Sequence, residues 1–475
     1  MSTTAAEAPK KKRTVLDQHG QSYELTGCIG KGGQGTVCTT NYPNVLVKVA
    51  HATTAEMRAS WAIKIRALMH QRLEGLPIAH PLALITQPQP GYVMELMDGL
   101  TPMTELMQTA TDALMSDDGL KGYVKTGGLL RRLKLLARLA RVLAELHGRG
   151  LAYGDLSPAN VFVSKSLEYA EVWLIDADNI ASQSRDGQQG VFTPDYGAPE
   201  ILRGDSGINT LTDGWSFAVM AYRILTLVHP LKGSAVQEGE PEREEEALRG
   251  ELPWVDHPTD SSNALLMGLP REITLNAQLR ALFERCFNAG MNSPGERPSL
   301  SEWAEAFDAA TGHCDQCEFC DSTFFFNSKQ ICPFCDHVQD KNRTILLQEY
   351  RYMPPELLRE GLSDDIPESL IRKECWTRTG KALVLSSSPG ELKPLPLGAS
   401  LYADARPLCT LELAKDGLWI EPSVNTEVSL QRASDDKVVA IARRQRLKSD
   451  SRSGASFWLH LGAAEEEHVV WRFTW

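Results

Sequence analysis

Lys48, Asp155, Asn160 and Asp176 are the residues whose types and spacing could do chemistry together. Lys48 is a cation inside the apolar run Val45-Leu46-Val47-Lys48-Val49, where a charge must find a partner or snorkel to water. Asp155 and Asn160 fall five residues apart in Tyr153-Gly154-Asp155-Leu156-Ser157-Pro158-Ala159-Asn160, and Asp176 lies in Leu174-Ile175-Asp176-Ala177-Asp178. Asp, Asn and Asp together offer hard oxygen donors of the kind Mg2+ prefers. Upstream, Gly30-Lys31-Gly32-Gly33-Gln34-Gly35-Thr36-Val37 could bring backbone N–H groups to phosphates without side-chain obstruction. Each segment alone has an ordinary reading: a flexible glycine turn, an edge-strand lysine, turn-capping Asp and Asn. Together and in this order they describe a site for a nucleoside triphosphate, its metal ions and a hydroxyl acceptor.

This set of segments resembles the protein-kinase superfamily. Thr193-Pro194-Asp195-Tyr196-Gly197-Ala198-Pro199-Glu200 is similar to the end of a kinase activation segment, and Thr212-Asp213-Gly214-Trp215-Ser216-Phe217 to the helix start that follows it. Arg297 is placed like the arginine that pairs with the glutamate, here Glu200. The resemblance covers about residues 22–311 and implies two lobes with ATP between them. It gives Gly30, Gly32 and Gly35 to the phosphates, Val37 to the base, Lys48 to the α- and β-phosphates, and Met94-Glu95 to the hinge beside the adenine. Asp155 would orient the acceptor hydroxyl, while Asn160 and Asp176 would hold Mg2+. Thr193 matches a position that commonly hydrogen-bonds the aspartate, and it is also a candidate phosphate acceptor with Ser182 and Ser184.

The chain departs from the family at several points. Tyr153-Gly154 replaces the usual His-Arg, Ser157 the usual lysine, and Asp176-Ala177-Asp178 the usual Asp-Phe-Gly. Loss of the arginine argues against activation through a phosphorylated loop docking there. Glu56, eight residues after Lys48, is close for its partner glutamate and fits a solvated first-turn residue. The Gly-Asp-Leu-Ser-Pro wording also resembles small-molecule phosphotransferases, although Ala198-Pro199-Glu200 and Arg297 argue against them. It looks as well like bacterial kinases with C-terminal zinc ribbons, which are associated with von Willebrand A-type proteins and metal-dependent phosphatases in stress or tellurite-resistance systems.

Cys317-Glu318-Phe319-Cys320-Asp321 and Cys332-Pro333-Phe334-Cys335-Asp336 are near-duplicates, with eleven residues between the two cysteine pairs. Four thiolates at this spacing suit a structural, tetrahedral Zn2+ site. Cys314 offers a competing pair with Cys317, and His313 or His337 could substitute. Asp after the second cysteine of each pair suits a position that needs left-handed geometry.

The elements that must position these groups follow from pattern. Strands and one helix, Glu56 to Leu73, precede residue 100. Leu129, Leu133, Leu136, Ala140 and Leu143 recur at helical spacing beyond it. The expected architecture is α+β, with five parts: a tail at 1–20, the two-lobed domain at 22–311, a zinc ribbon at 313–338, a polar linker at 339–380 and a β-rich interaction domain at 381–475. The last part lacks the Gly-Arg…Ser-x-x-His pattern of forkhead-associated phosphopeptide readers. Trp458, Trp471 and Trp475 are expected in its core.

A net charge of −12 argues against nucleic acid and anionic membrane as partners, and no apolar run reaches a membrane span. The clustered cysteines suggest a reduced, cytoplasmic setting. The expectation is a bacterial-type Ser/Thr protein kinase using ATP and Mg2+. A nucleotide-binding pseudokinase scaffold and a small-molecule kinase stand as alternatives.

Overall fold

The computed structural model describes residues 13–31, 35–95, 98–116, 119–182, 192–327, 329–360, 362–363, 366–386, 388–395, 399, 405–434 and 437–475. Its first unit is a closed barrel of six strands: β1 (Arg13–Asp17), β2 (Ser22–Lys31), β3 (Gly35–Thr40), β4 (Val45–Ala50), β5 (Ala83–Gln87) and β6 (Gly91–Glu95), in the order β1-β2-β3-β4-β6-β5. Successive side chains of a strand face opposite ways, so β4 divides its work between two faces. Val47 and Val49 fill the barrel with Val15, Tyr23, Ile85 and Val93. Leu46 faces out toward Tyr92, Met94 and the helix α1 (Ala55–Met69), which covers that side with Trp61 and Ile65. Lys48 belongs to the outer set by alternation, which turns its amine toward the second lobe.

β1 lies within the stretch expected to be a tail. It pairs with both β2 and β5, and Val15 is buried in the barrel. Asp17, also buried, accepts hydrogen bonds from the His19 and Gln21 amides and the Tyr23 hydroxyl, so a short polar sequence becomes the strand that closes the sheet.

The second unit is helical, with β7 (Leu100–Pro102), α2 (Met103–Leu114), α3 (Lys121–Lys125), α4 (Gly128–Gly148), β8 (Leu151–Ala152), β9 (Val161–Ser164), β10 (Val172–Leu174), α5 (Pro199–Leu202) and α6 (Thr210–Thr226). The expected stripe of α4 is buried: Leu129, Leu133, Leu136, Ala140 and Leu143 are all sealed from water. α6 is apolar nearly all round and forms the centre of this lobe, with Trp215, Phe217 and Tyr222 fully buried. Its N-terminus carries a capping box from Asn209 and Thr212, which fixes where the helix begins.

Beyond the helix Leu300–Gly312 come the cysteine hairpin and a β-sandwich. The sandwich stacks a six-stranded sheet on a four-stranded one, and Leu347, Leu411, Leu418, Leu459 and Trp475 meet between them. Ile345–Tyr352, within the expected linker, is an interior strand of the larger sheet, paired with Trp376–Leu385 on one side and His468–Thr474 on the other. Its polar residues conceal it: Ile345, Leu347 and Glu349 alternate inward, and Glu349 is buried despite its charge. Trp471 and Trp475 are buried, while Trp458 is half-buried and packs on Trp376 with ring centres 4.4 Å apart.

Candidate active site

The barrel and the helical lobe meet along a cleft, and four separated segments converge there. β4 presents Lys48, whose side chain is 4% exposed. Its amine contacts the Asp176 carboxylate and lies 2.8 Å from Asp178 Oδ2. Burial alone pulls the pKa of the amine down, but the two carboxylates outweigh it and the net shift is upward.

The loop after β8 is held from beneath by α6. Asp213 accepts from the amides of Tyr153 (2.6 Å) and Gly154 (2.9 Å), and lies 3.0 Å from His147 Nε2. A fully buried carboxylate therefore satisfies two buried backbone donors and fixes the start of the loop. Gly154 has φ +93°, and a Cβ there would lie 2.8 Å from the Asn179 carbonyl oxygen. The departure from the family's arginine at this position accompanies a close approach of the 177–179 turn. The Tyr153 hydroxyl donates to the Ile175 carbonyl, tying the loop to the residue between β10 and Asp176.

Further along the same loop, Asn160 Nδ2 donates to the Asp155 carbonyl oxygen at 2.8 Å and to its Oδ2 at 3.3 Å. The Ile175 amide donates to the Asn160 carbonyl at 2.9 Å, which sets Asp176 beside Asn160. Asp176 itself takes a left-handed backbone, φ +61°, turning the chain directly after β10. Asp155 Oδ1 accepts from both the amide (2.8 Å) and the hydroxyl (2.9 Å) of Thr193. Burial pushes the Asp155 pKa up, and these hydrogen bonds offset that only in part.

Gly30 and Gly35 end β2 and begin β3 at the mouth of the cleft. A Cβ on Gly35 would sit 2.6 Å from the Val49 carbonyl oxygen and 3.3 Å from the Lys48 side chain, so only glycine lets β3 pass this close. Gly32 lies outside the described residues. Val37 pairs with Lys48 across β3 and β4. Glu95, exposed, ends β6 at the junction of the lobes. Glu56 is exposed in the first turn of α1. Below the cleft, Arg297 and Glu200 form a buried two-pronged ion pair at 2.7 and 2.8 Å, locking the segment after Thr193 to the base of the lobe. Ser182 falls at the end of a short strand and Ser184 outside the described residues.

Asp178 and Asp213 are the two groups whose roles sequence reasoning missed. The signal for Asp178 was its place two residues past Asp176 in an otherwise apolar run. Asp213 was read only as a helix start.

The cysteine hairpin forms a second candidate site. The four sulfurs of Cys317, Cys320, Cys332 and Cys335 lie within 4.8 Å of one another. Cys317–Cys335 and Cys320–Cys332 are each 3.7 Å apart. A tetrahedron with Zn–S bonds of about 2.3 Å has sulfur–sulfur edges of about 3.8 Å, so the spacing fits zinc. The two halves repeat each other: Phe319 and Phe334 amides point at Cys317 and Cys332 Sγ, both at 3.4 Å, and Asp321 and Asp336 have φ +58° and +57°. Cys314 is turned away, donating to the Ala310 carbonyl, while His337 meets Glu318 and His313 the Ala309 carbonyl. Thr323 of the hairpin accepts from the Leu130 amide at 3.0 Å, so the hairpin rests on the first turn of α4.

Comparison with known proteins places residues 23–306 within the protein kinase domain family. The serine/threonine-protein kinase pkn2 of Myxococcus xanthus is 37% identical over 111 residues, 22% of this chain and 13% of that protein. PknD of Chlamydia caviae is 24% identical over 237 residues, 45% of this chain and 25% of its own length. Serine/threonine-protein kinase 17A of Oryctolagus cuniculus is 32% identical over 111 residues, 22% of this chain and 28% of the relative. The chain thus spans between an eighth and a third of the length of these curated relatives. No helix among the described residues is long and apolar enough to cross a membrane.

Proposed function

This chain belongs to the protein kinase family, and from that premise we propose that it transfers the γ-phosphate of MgATP to a serine or threonine hydroxyl of a protein. The observation that carries the reading is the convergence of Lys48, Asp155, Asn160 and Asp176 from three distant segments, with Thr193 bound to Asp155. Phosphoryl transfer needs positioning and charge neutralisation, and this set can supply both.

Lys48 would hold the α- and β-phosphates beneath the Gly30, Gly32 and Gly35 turn, with Val37 and Glu95 lining the approach to the base. Asp155 would accept a hydrogen bond from the acceptor hydroxyl and orient it toward the γ-phosphate. Asn160, whose Nδ2 is occupied by Asp155, leaves its oxygen for a cation, and Asp176 adds a carboxylate. Mg2+ bound there would neutralise charge on the phosphates. Thr193 is already committed to Asp155 on both its amide and its hydroxyl, which favours a positioning role over that of phosphate acceptor.

The Glu200–Arg297 pair favours a protein acceptor over a small molecule, because it fixes the segment on which a peptide would lie. The four cysteines would hold a structural Zn2+, which supplies a cross-link and no open coordination position. The β-sandwich would serve as an interaction domain. Von Willebrand A-type proteins and metal-dependent phosphatases are the partner classes that the wider resemblance suggests, in a bacterial cytoplasm.

Incubation of the full chain with MgATP, followed by mass spectrometry of the chain and of a mixed protein substrate, tests the reading. Phosphoserine or phosphothreonine that disappears in Asp155→Asn and Lys48→Ala is expected. Nucleotide binding with no phosphate transferred would overturn it.

A further inference from the structure

α1 reaches the cleft without a carboxylate. Its single acid, Glu56, lies exposed in the first turn, beyond the residues that touch the sheet. The face that meets β4 and β6 is Trp61, Ala62, Ile65 and Met69, and the Trp61 ring stacks on Tyr92 with centres 6.0 Å apart. Tyr92 pairs directly with Lys48 across the strands, so the helix offers an aromatic wall beside the lysine.

The carboxylate arrives instead from the turn after β10. Asp178 is 1% exposed, and its Oδ2 lies 2.8 Å from Lys48 Nζ. Lys48 is the one cation paired with it among the described residues. A charge buried this completely is strongly destabilising unless matched, so the pair is mutually required. Asp176 also contacts Lys48, but its side chain is 28% exposed and faces the open cleft. If Asp176 turns to a metal, Asp178 is the carboxylate that stays on the amine.

We propose that Asp178 is the positioning residue for Lys48: it holds the amine at the phosphate site from within the Asp176-Ala177-Asp178 turn, in place of a carboxylate on α1. The proposal rests on the phosphotransfer reading above and deepens it. One short turn then carries both a metal-facing and a lysine-facing carboxylate, and no carboxylate on α1 is needed to hold Lys48.

The test uses the full chain carrying Asp178→Asn, a change of nearly equal size, beside Glu56→Gln. Two measurements are made: titration of the Lys48 amine by NMR of the 13C-methylated protein without nucleotide, assigned with Lys48→Arg, and steady-state phosphotransfer. Asp178→Asn is expected to lower the Lys48 pKa and to cut kcat about tenfold or more, with KM for ATP changed less than about threefold. Glu56→Gln is expected to leave both unchanged. An unshifted Lys48 titration in Asp178→Asn, or a kcat loss produced by Glu56→Gln instead, would overturn the proposal. Absence of phosphotransfer in the unaltered chain would sink the kinase reading alone, because the titration still decides which carboxylate holds Lys48.

Discussion

The cleft and the cysteine hairpin assemble their functional groups in opposite ways. The hairpin draws four sulfurs from residues 317 to 335, and each half closes through its own local bonds: Asp321 to Cys317 and Asp336 to Cys332, both at 3.0 Å. The cleft draws on β4, the loop after β8, the turn after β10 and Thr193, and Lys48, Asp155 and the start of the loop are each held by a residue from another segment. Local assembly makes a site robust in its chemistry but dependent on its ligand. Distributed assembly makes it dependent on the whole fold, and in return its charges can be set against one another. Lys48 between Asp176 and Asp178 is the product of the second arrangement.

The sharpest way to separate the two is Asp155→Asn. It should lower phosphotransfer about a thousandfold while leaving the melting temperature near that of the unaltered chain. A large stability loss with it would mean that the cleft residues serve the fold as much as the chemistry. Next in size, Arg297→Ala leaves Glu200 buried without its partner and should cost about 3–5 kcal/mol in denaturant unfolding, showing how far the distributed site depends on distant packing. Unchanged stability would place that ion pair outside the folding unit.

Cys332→Ser should invert the pattern seen at Asp155. Bound zinc, measured by atomic absorption, should fall from about one equivalent to almost none, and the Leu130 amide should exchange faster as its bond to Thr323 loosens, a loss of about 1 kcal/mol. Phosphotransfer should change less than about threefold, since the hairpin meets α4 at its first turn, at the end away from the loop after β8. A tenfold fall would show that the two regions communicate.

The smallest effect is on pH dependence. The Asp155 pKa is raised, and its ionised form is the one that orients a hydroxyl, so the acid limb of kcat/KM should lie at higher pH than a freely exposed aspartate would place it. The Thr193 hydroxyl favours the ionised form, so Thr193→Val should raise the Asp155 pKa further and move that limb to higher pH. A limb that moves to lower pH would contradict the assignment of Asp155.

Legibility followed this same division. The cysteine-rich stretch was legible as a metal-ligand pattern, because spacing within a short hairpin restricts what the chain can do, and the left-handed Asp321 and Asp336 were signalled by residue type; that Cys314, His313 and His337 find other partners was not legible. The cleft was readable as a set of motifs. Its partnerships were not, because Asp178 and Asp213 act at a distance of more than 50 residues from what they hold. β1 and the strand Ile345–Tyr352 were hidden for a related reason: each is polar enough to pass for a tail or linker, and each gains its place by pairing with two strands at once.

Sequence by itself determined the family, the α4 stripe, a cysteine-rich metal-ligand pattern and the residue types available to a phosphate site. Those follow from short-range spacing and from which side chains can bear charge or bind a cation. Tertiary structure alone decided which carboxylate faces Lys48. A buried amine takes the nearest buried anion, and that anion was set by the turn after β10 together with the apolar face of α1, neither of which any local run of residues specifies.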